Sequence, residues 1–165
     1  MAWNIDSLRT ILNKPYHRRV LQSLLAEEKP NILALLETKV TDQGIQLEYL
    51  QKALREAVGP SYSVYLCCSE VRMGYSGTAI LYRNDGPQPV RPPVQDFRQF
   101  CESIGASEEV LDATWEGRVV RVDYEGFTFV SVYNPNVKTD MFKMDFRVGP
   151  GGWDRSFCLL PAVGK

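Results

Sequence analysis

The sequence contains one histidine, His17, and four cysteines, Cys67, Cys68, Cys101 and Cys158, none in Cys-x-x-Cys spacing. That scarcity argues against a cysteine–histidine zinc site. It predicts reduced thiols in an intracellular protein rather than a disulfide framework. No apolar run approaches the roughly 18 residues of a membrane span, so no membrane partner is expected. Asp6 and Arg9 interrupt the first apolar residues, which is not a signal-peptide pattern. Charge of one sign is lacking too. The net charge is −1, which excludes a uniformly basic surface, so nucleic-acid contacts would need a local patch. Internal repeats and low-complexity tracts are absent. What remains is the composition of a globular chain: 165 residues, 44% hydrophobic and 24% charged, enough for one domain with a core.

The stretch that organises the chain is Asn31–Lys39. Ile32, Leu33, Leu35 and Leu36 run between Pro30 and the polar Glu37-Thr38-Lys39. A short continuous apolar run reads as a strand buried on both faces of an α/β sheet. Such a strand delivers the residues after it to the carboxyl edge, where ligands bind in open α/β folds. Before it, Ala2–Ile5 is a strand candidate, followed by a loop to Lys14. Pro15 suits a helix's first turn, and Val20, Leu21, Leu24 and Leu25 recur at helical spacing. Strand, helix, strand is the βαβ pattern. A second helix follows, with Leu47, Leu50, Leu54 and Val58 on its apolar face and Gly59-Pro60 at its end.

Tyr62–Cys68 and Thr78–Arg83 read as strands joined by a loop around Met73–Gly77. Its Ser/Gly/Tyr content fits a close backbone approach to a ligand or a simple hairpin turn equally well. Asn84–Asp96, with four prolines, reads as a loop, and Phe97–Leu111 as one or two short helices. Arg118–Tyr124 and Phe127–Tyr133 read as an antiparallel pair turning at Glu125-Gly126. Beyond Asn134-Pro135-Asn136 comes a basic loop with Lys138, Lys143 and Arg147, and Trp153–Leu160 reads as a helix.

Four polar groups recur at strand ends: Asn4, Glu37, the Gly74–Gly77 loop, and Tyr133 with Asn136. Each alone is ordinary. An Asn after a strand is usually a turn residue, and a Tyr at a strand end is usually half-buried core. If the strands share one packed sheet, a carboxylate, two amides and a phenol converge on one rim. That set suits a hard cation and a phosphate. Mg²⁺ takes oxygen ligands, often one or two carboxylates plus water and phosphate oxygens. The phenol and amides can donate to phosphoryl oxygens as charge builds on them.

Five segments then resemble the exonuclease III family of apurinic/apyrimidinic endonucleases, within the endonuclease/exonuclease/phosphatase superfamily. They are Trp3-Asn4-Ile5-Asp6-Ser7-Leu8-Arg9; Pro30–Lys39; Gly74-Tyr75-Ser76-Gly77-Thr78-Ala79-Ile80; Glu116-Gly117-Arg118 with Phe127–Asn136; and Arg147 with Trp153-Asp154. They stand in the family's order over nearly the whole chain. The resemblance implies an α/β fold, part of a four-layer sandwich of two sheets flanked by helices. It implies hydrolysis of the phosphodiester 5′ to an abasic site in double-stranded DNA, with a further 3′-end exonuclease or phosphodiesterase activity in some members.

By resemblance, Glu37 ligates the catalytic metal, with Asn4 nearby, either orienting the nucleophile or holding the metal's water shell. Tyr133 contacts the scissile phosphate, and Asn136 orders that network. Arg9 and Tyr75 touch the DNA backbone. Lys39 supports the metal site through Asp6 or Glu37. The implied cofactor is Mg²⁺, with Mn²⁺ as the alternative, and the full-length protein is expected to be a nuclear monomer, with cytoplasm or mitochondrion as alternatives.

Three departures stand out. Ser7 replaces the usual glycine, and Leu36 the common glutamine before Glu37. The family's later Gly-Asp-x-Asn and Ser-Asp-His motifs are absent. Residues 1–165 therefore read as the amino-terminal part of a single domain, inactive alone. A non-catalytic DNA- or partner-binding remnant is the alternative. A phosphoinositide phosphatase or retroelement endonuclease of the same superfamily would also accommodate Glu37 and Asn4.

Overall fold

The computed structural model describes residues 1–40, 44–94, 105, 115–133 and 157–161. The first sheet is built on β2 (Ile32–Leu36). β1 (Ala2–Asn4) runs parallel to it on one side, and β4 (Thr78–Arg83) antiparallel on the other. β3 (Tyr62–Cys67) closes the order β1-β2-β4-β3. The parallel β1–β2 pair requires a crossover, and α2 (Pro15–Glu28) supplies it, with Pro15 in its first turn. Lys29, in the left-handed region at φ 43°, ends that helix before Pro30.

β2 is buried from Leu33 to Leu36, and its alternation sends side chains to both faces. Leu33 and Leu35 pack with Leu8, Leu21 and Leu54 beneath the helices. Ala34 and Leu36 pack with Val120, Val122 and Phe129 of a second sheet. Helices, sheet and sheet thus form three successive layers. The second sheet has the order β5-β6-β7, all antiparallel: β5 (Val119–Asp123), β6 (Phe127–Val132) and β7 (Phe157–Pro161). Tyr124 N–H donates to the Phe127 carbonyl at 2.9 Å and closes the expected two-residue turn. α3 (Ile45–Val58) covers the first sheet and ends at Gly59, φ 74°. No helix among the described residues is long and apolar enough to cross a membrane.

Two expectations need correction. The stretch read as a loop before Lys14 forms α1 (Leu8–Asn13), capped at Ser7, whose Oγ accepts from Thr10 N–H at 3.3 Å. Leu8, Ile11 and Leu12 are the buried face that makes it a helix. The second correction falls on the helix read over Trp153–Leu160, whose last four residues instead belong to β7 (Phe157–Pro161). The apolar run Phe157-Cys158-Leu159-Leu160 is too short to reveal a period, and the open edge of β6 takes it as a third strand. Asn84–Asp96 holds one isolated bridge, Val94 to Arg121, as far as it is described. The helices read over Phe97–Leu111 lie outside the described residues.

Candidate active site

β2 stops pairing as a strand at Leu36, and the backbone then bends sharply. Glu37 and Lys39 both take the left-handed conformation, φ 58° and 51°. For non-glycine residues that is uncommon and costs about 1–3 kcal/mol each. The neighbouring chain holds the bend in place. Thr38 N–H donates to the Gly77 carbonyl at 3.1 Å and Lys39 N–H to the Ser76 carbonyl at 2.8 Å. On the other side Leu8 N–H donates to the Thr38 carbonyl at 2.9 Å. Gly77, φ 83°, has no room for a side chain, since a Cβ there would collide with Thr38 Oγ1. The Gly74–Gly77 loop therefore makes a close backbone approach, to Thr38 of its own chain. Ser7 is extended, and the positive φ at that turn belongs to Asp6, 59°. Serine in the place of glycine is thus unstrained.

The bend presents Glu37 to three donors. Asn4 Nδ2 donates to Oε1 at 2.9 Å, and the Tyr133 hydroxyl donates to the same oxygen. Lys39 Nζ stands 3.1 Å from Oε2 and also pairs with Asp6 Oδ1. Asp6 N–H donates to Asn4 Oδ1 at 3.1 Å, which orients the amide. Burial pushes the Glu37 carboxyl up, but the bonds from Tyr133, Asn4 and Lys39 outweigh it and hold the pKa below the ordinary value. Burial, then the bond to Glu37 and its charge, pushes the Tyr133 phenol up to about 12, with Arg118 pulling the other way. Asp6 foremost, then Glu37, raise the Lys39 pKa. At neutral pH this is a carboxylate, a neutral phenol and an ammonium.

Asn4, Glu37, Lys39 and Tyr133 therefore meet, drawn from β1, the end of β2 and the end of β6. Asn136 lies outside the described residues, as do Lys138, Lys143, Arg147, Trp153 and Asp154. Arg9 is exposed on α1, beside Asn13 and Tyr49, and is not among the side chains that bond to Glu37. Tyr75 is half-buried and reaches the cluster indirectly, because the Arg118 guanidinium contacts both the Tyr75 and Tyr133 rings. Sequence reasoning assigns Arg118 no role. A charged residue at the start of a strand carries no sign that two rings will cover it.

The donor set fits a hard cation sparingly. Among the described residues there is no cluster of three or more His, Cys, Asp or Glu side chains. The buried carboxylate of this cluster is Glu37, 12% exposed at the side chain, with an amide beside it and an ammonium already drawn to its second oxygen. A site that accepts Lys39 at Oε2 is one where positive charge is welcome. Mg²⁺ commonly uses a single carboxylate and completes its shell with water and phosphate oxygens.

Comparisons with known proteins place the chain in a family. The model of the Endonuclease/Exonuclease/phosphatase family matches residues 1–149. An exodeoxyribonuclease of Bacillus subtilis (strain 168) is 28% identical over 148 residues, which are 90% of this chain and 47% of that protein. The DNA repair nuclease APEX1 of Danio rerio is 28% identical over 157 residues, 94% of this chain and 41% of that protein. The crystal structure of the Xenopus laevis APE2 catalytic domain superposes with a TM-score of 0.60 at 25% identity, covering 88% of this chain and 49% of that one. The chain spans about half the length of the curated relatives it matches.

Proposed function

Because this chain belongs to the endonuclease/exonuclease/phosphatase family, we propose that it carries the Glu37 half of the active site of a DNA-repair phosphodiester hydrolase. The substrate is double-stranded DNA with an abasic site, cut 5′ to the lesion, with 3′-end trimming as a related activity. The observation that carries the reading is the convergence of Asn4, Lys39 and Tyr133 on one ionised carboxylate. The relatives, an exodeoxyribonuclease and a DNA repair nuclease, support DNA as the substrate class.

In this reading Glu37 and Asn4 would hold the divalent ion, Mg²⁺ with Mn²⁺ as the alternative, which when bound would supply Lewis-acid polarisation of a phosphoryl oxygen. Tyr133 stays protonated, and its single O–H, given to Glu37 here, would pass to a phosphoryl oxygen as negative charge develops there. Asn4 is held by Asp6 and orients Glu37. Lys39 balances the charge of two carboxylates.

The test uses the chain extended to the full length of its relatives and an end-labelled duplex with one abasic site. Glu37→Gln and Tyr133→Phe are each expected to lower incision about 100-fold or more, and removal of divalent ions by a chelator to abolish it. Undiminished cleavage by Glu37→Gln would overturn the assignment.

A further inference from the structure

The contacts of the Glu37 cluster continue past the Tyr133 ring. Arg118 pairs with Tyr133 just beyond the β5–β6 ladder, where Tyr133 N–H donates to its carbonyl at 2.8 Å. Its guanidinium carbon lies 4.9 Å from the centroid of the Tyr133 ring and 4.9 Å from that of Tyr75. Arg72, on the exposed β3–β4 loop, lies 5.0 Å from the same Tyr75 centroid. A chain of cation–ring contacts therefore runs from Arg72 through Tyr75 and Arg118 to Tyr133, whose hydroxyl ends on Glu37.

Arg118 is 2% exposed. Its Nε pairs with the Glu116 carboxylate, while Nη1 has no hydrogen-bond partner among the described residues. A half-paired cation in the interior is costly, and an apolar side chain would fill the same space more stably. What a guanidinium adds is a flat cation that aromatic faces attract. Its placement is built in. Glu70 N–H donates to the Trp115 carbonyl at 2.8 Å, Ser76 Oγ donates to the Glu116 carbonyl, and Thr78 Oγ1 donates to the Gly117 carbonyl at 3.2 Å. The turn that carries Arg118 is thus fastened to the loop that carries Tyr75.

We propose that Arg118 is a positioning residue: its guanidinium fixes the Tyr133 ring so that the phenol meets Glu37, and ties that placement to Tyr75 and the β3–β4 loop. This rests on the reading of Glu37 and Tyr133 as active-site groups. Arg118 acts through Tyr133.

The test is NMR of this chain with tyrosine isotopically labelled at ring Cζ, the signals assigned through Tyr133→Phe and Tyr75→Phe. Arg118→Met keeps the bulk and removes the cation. It is expected to shift the Tyr133 and Tyr75 signals and leave Tyr16 and Tyr49, on the helices, in place. Arg118→Lys keeps the charge without the plane and is expected to give intermediate shifts. A stationary Tyr133 signal overturns the inference. So does a shift that spreads to Tyr16 and Tyr49, which would make Arg118 a support of the whole scaffold.

Mn²⁺ tests the underlying reading separately. It is expected to broaden the Tyr133 signal of the unmodified chain but not that of Glu37→Gln. No broadening in either sinks the metal assignment and leaves the Arg118 contact to be judged by the shifts. In the full-length enzyme Arg118→Met is expected to lower kcat about 10- to 100-fold with a smaller change in KM. Unchanged kcat overturns the positioning role.

Discussion

Glu37 is bent out of the strand region, buried, and still ionised. Its three donors stabilise the charged form more than burial disfavours it, so its folded pKa lies below the value near 4.5 of the unfolded chain. A group with a depressed folded pKa contributes stability in full above its unfolded pKa. The contribution is lost as pH falls through the folded value. Urea midpoints of the unmodified chain should therefore fall more steeply below about pH 4.5 than those of Glu37→Gln. Parallel curves would show that the carboxylate is not held by those donors. Glu37 was legible in the sequence because an apolar run must end somewhere, and its first polar residue stands at the sheet edge. The left-handed backbone at Glu37 and Lys39 was not legible, because neither residue type favours it. Both are held there by hydrogen bonds from Thr38 and Lys39 to a loop beyond β3.

The turn Trp115–Arg118 is the element that joins the two sheets at the site. Gly117 sits in it at φ 64°, and a Cβ there would come 2.6 Å from Cys68 C, 2.7 Å from Cys68 O and 2.9 Å from Ser69 N. All three are backbone atoms, which cannot swing aside. Gly117→Ala should destabilise the protein by about 2–4 kcal/mol, combining left-handed strain with overpacking. Gly126→Ala, with nothing within 4 Å, should stay within about 0.5 kcal/mol of the parent. Denaturant melts of the two variants decide this, and equal losses would contradict it. Elements with a long apolar period, such as α2 and α3, were plain from sequence. α1 was not, although Ser7 before Leu8, Ile11 and Leu12 is a capped helical spacing in miniature. Six residues fit a loop as readily as a helix. β7 needed knowledge of an open strand edge, which only the assembled sheet supplies.

At the scale of the molecule, three layers are described, and the relatives are about twice as long. The 165 residues alone are expected to incise an abasic duplex far more slowly than a version carried to full length. Comparable Glu37-dependent cleavage by both would overturn that. The helices on the first sheet were legible in the order of apolar runs, whereas the stacking of a second sheet came only with the family resemblance. The meeting of the two sheets at Tyr133 was legible only through the family's motifs, since nothing local to Phe127–Tyr133 points to β2.

That meeting also sets a schedule. The bond between Tyr133 and Glu37 joins residues 96 apart in the chain. The first sheet's helices and central strand are near neighbours in sequence and can condense through local contacts, whereas the sandwich closes through distant ones, which form late. During synthesis at about 5–20 residues per second, the phenol follows its carboxylate by roughly 5–20 s. The nascent chain carries Glu37 through that interval without its partner. The site is therefore a record of the two sheets having met, and a probe on Tyr133 would report that closure, not the first collapse.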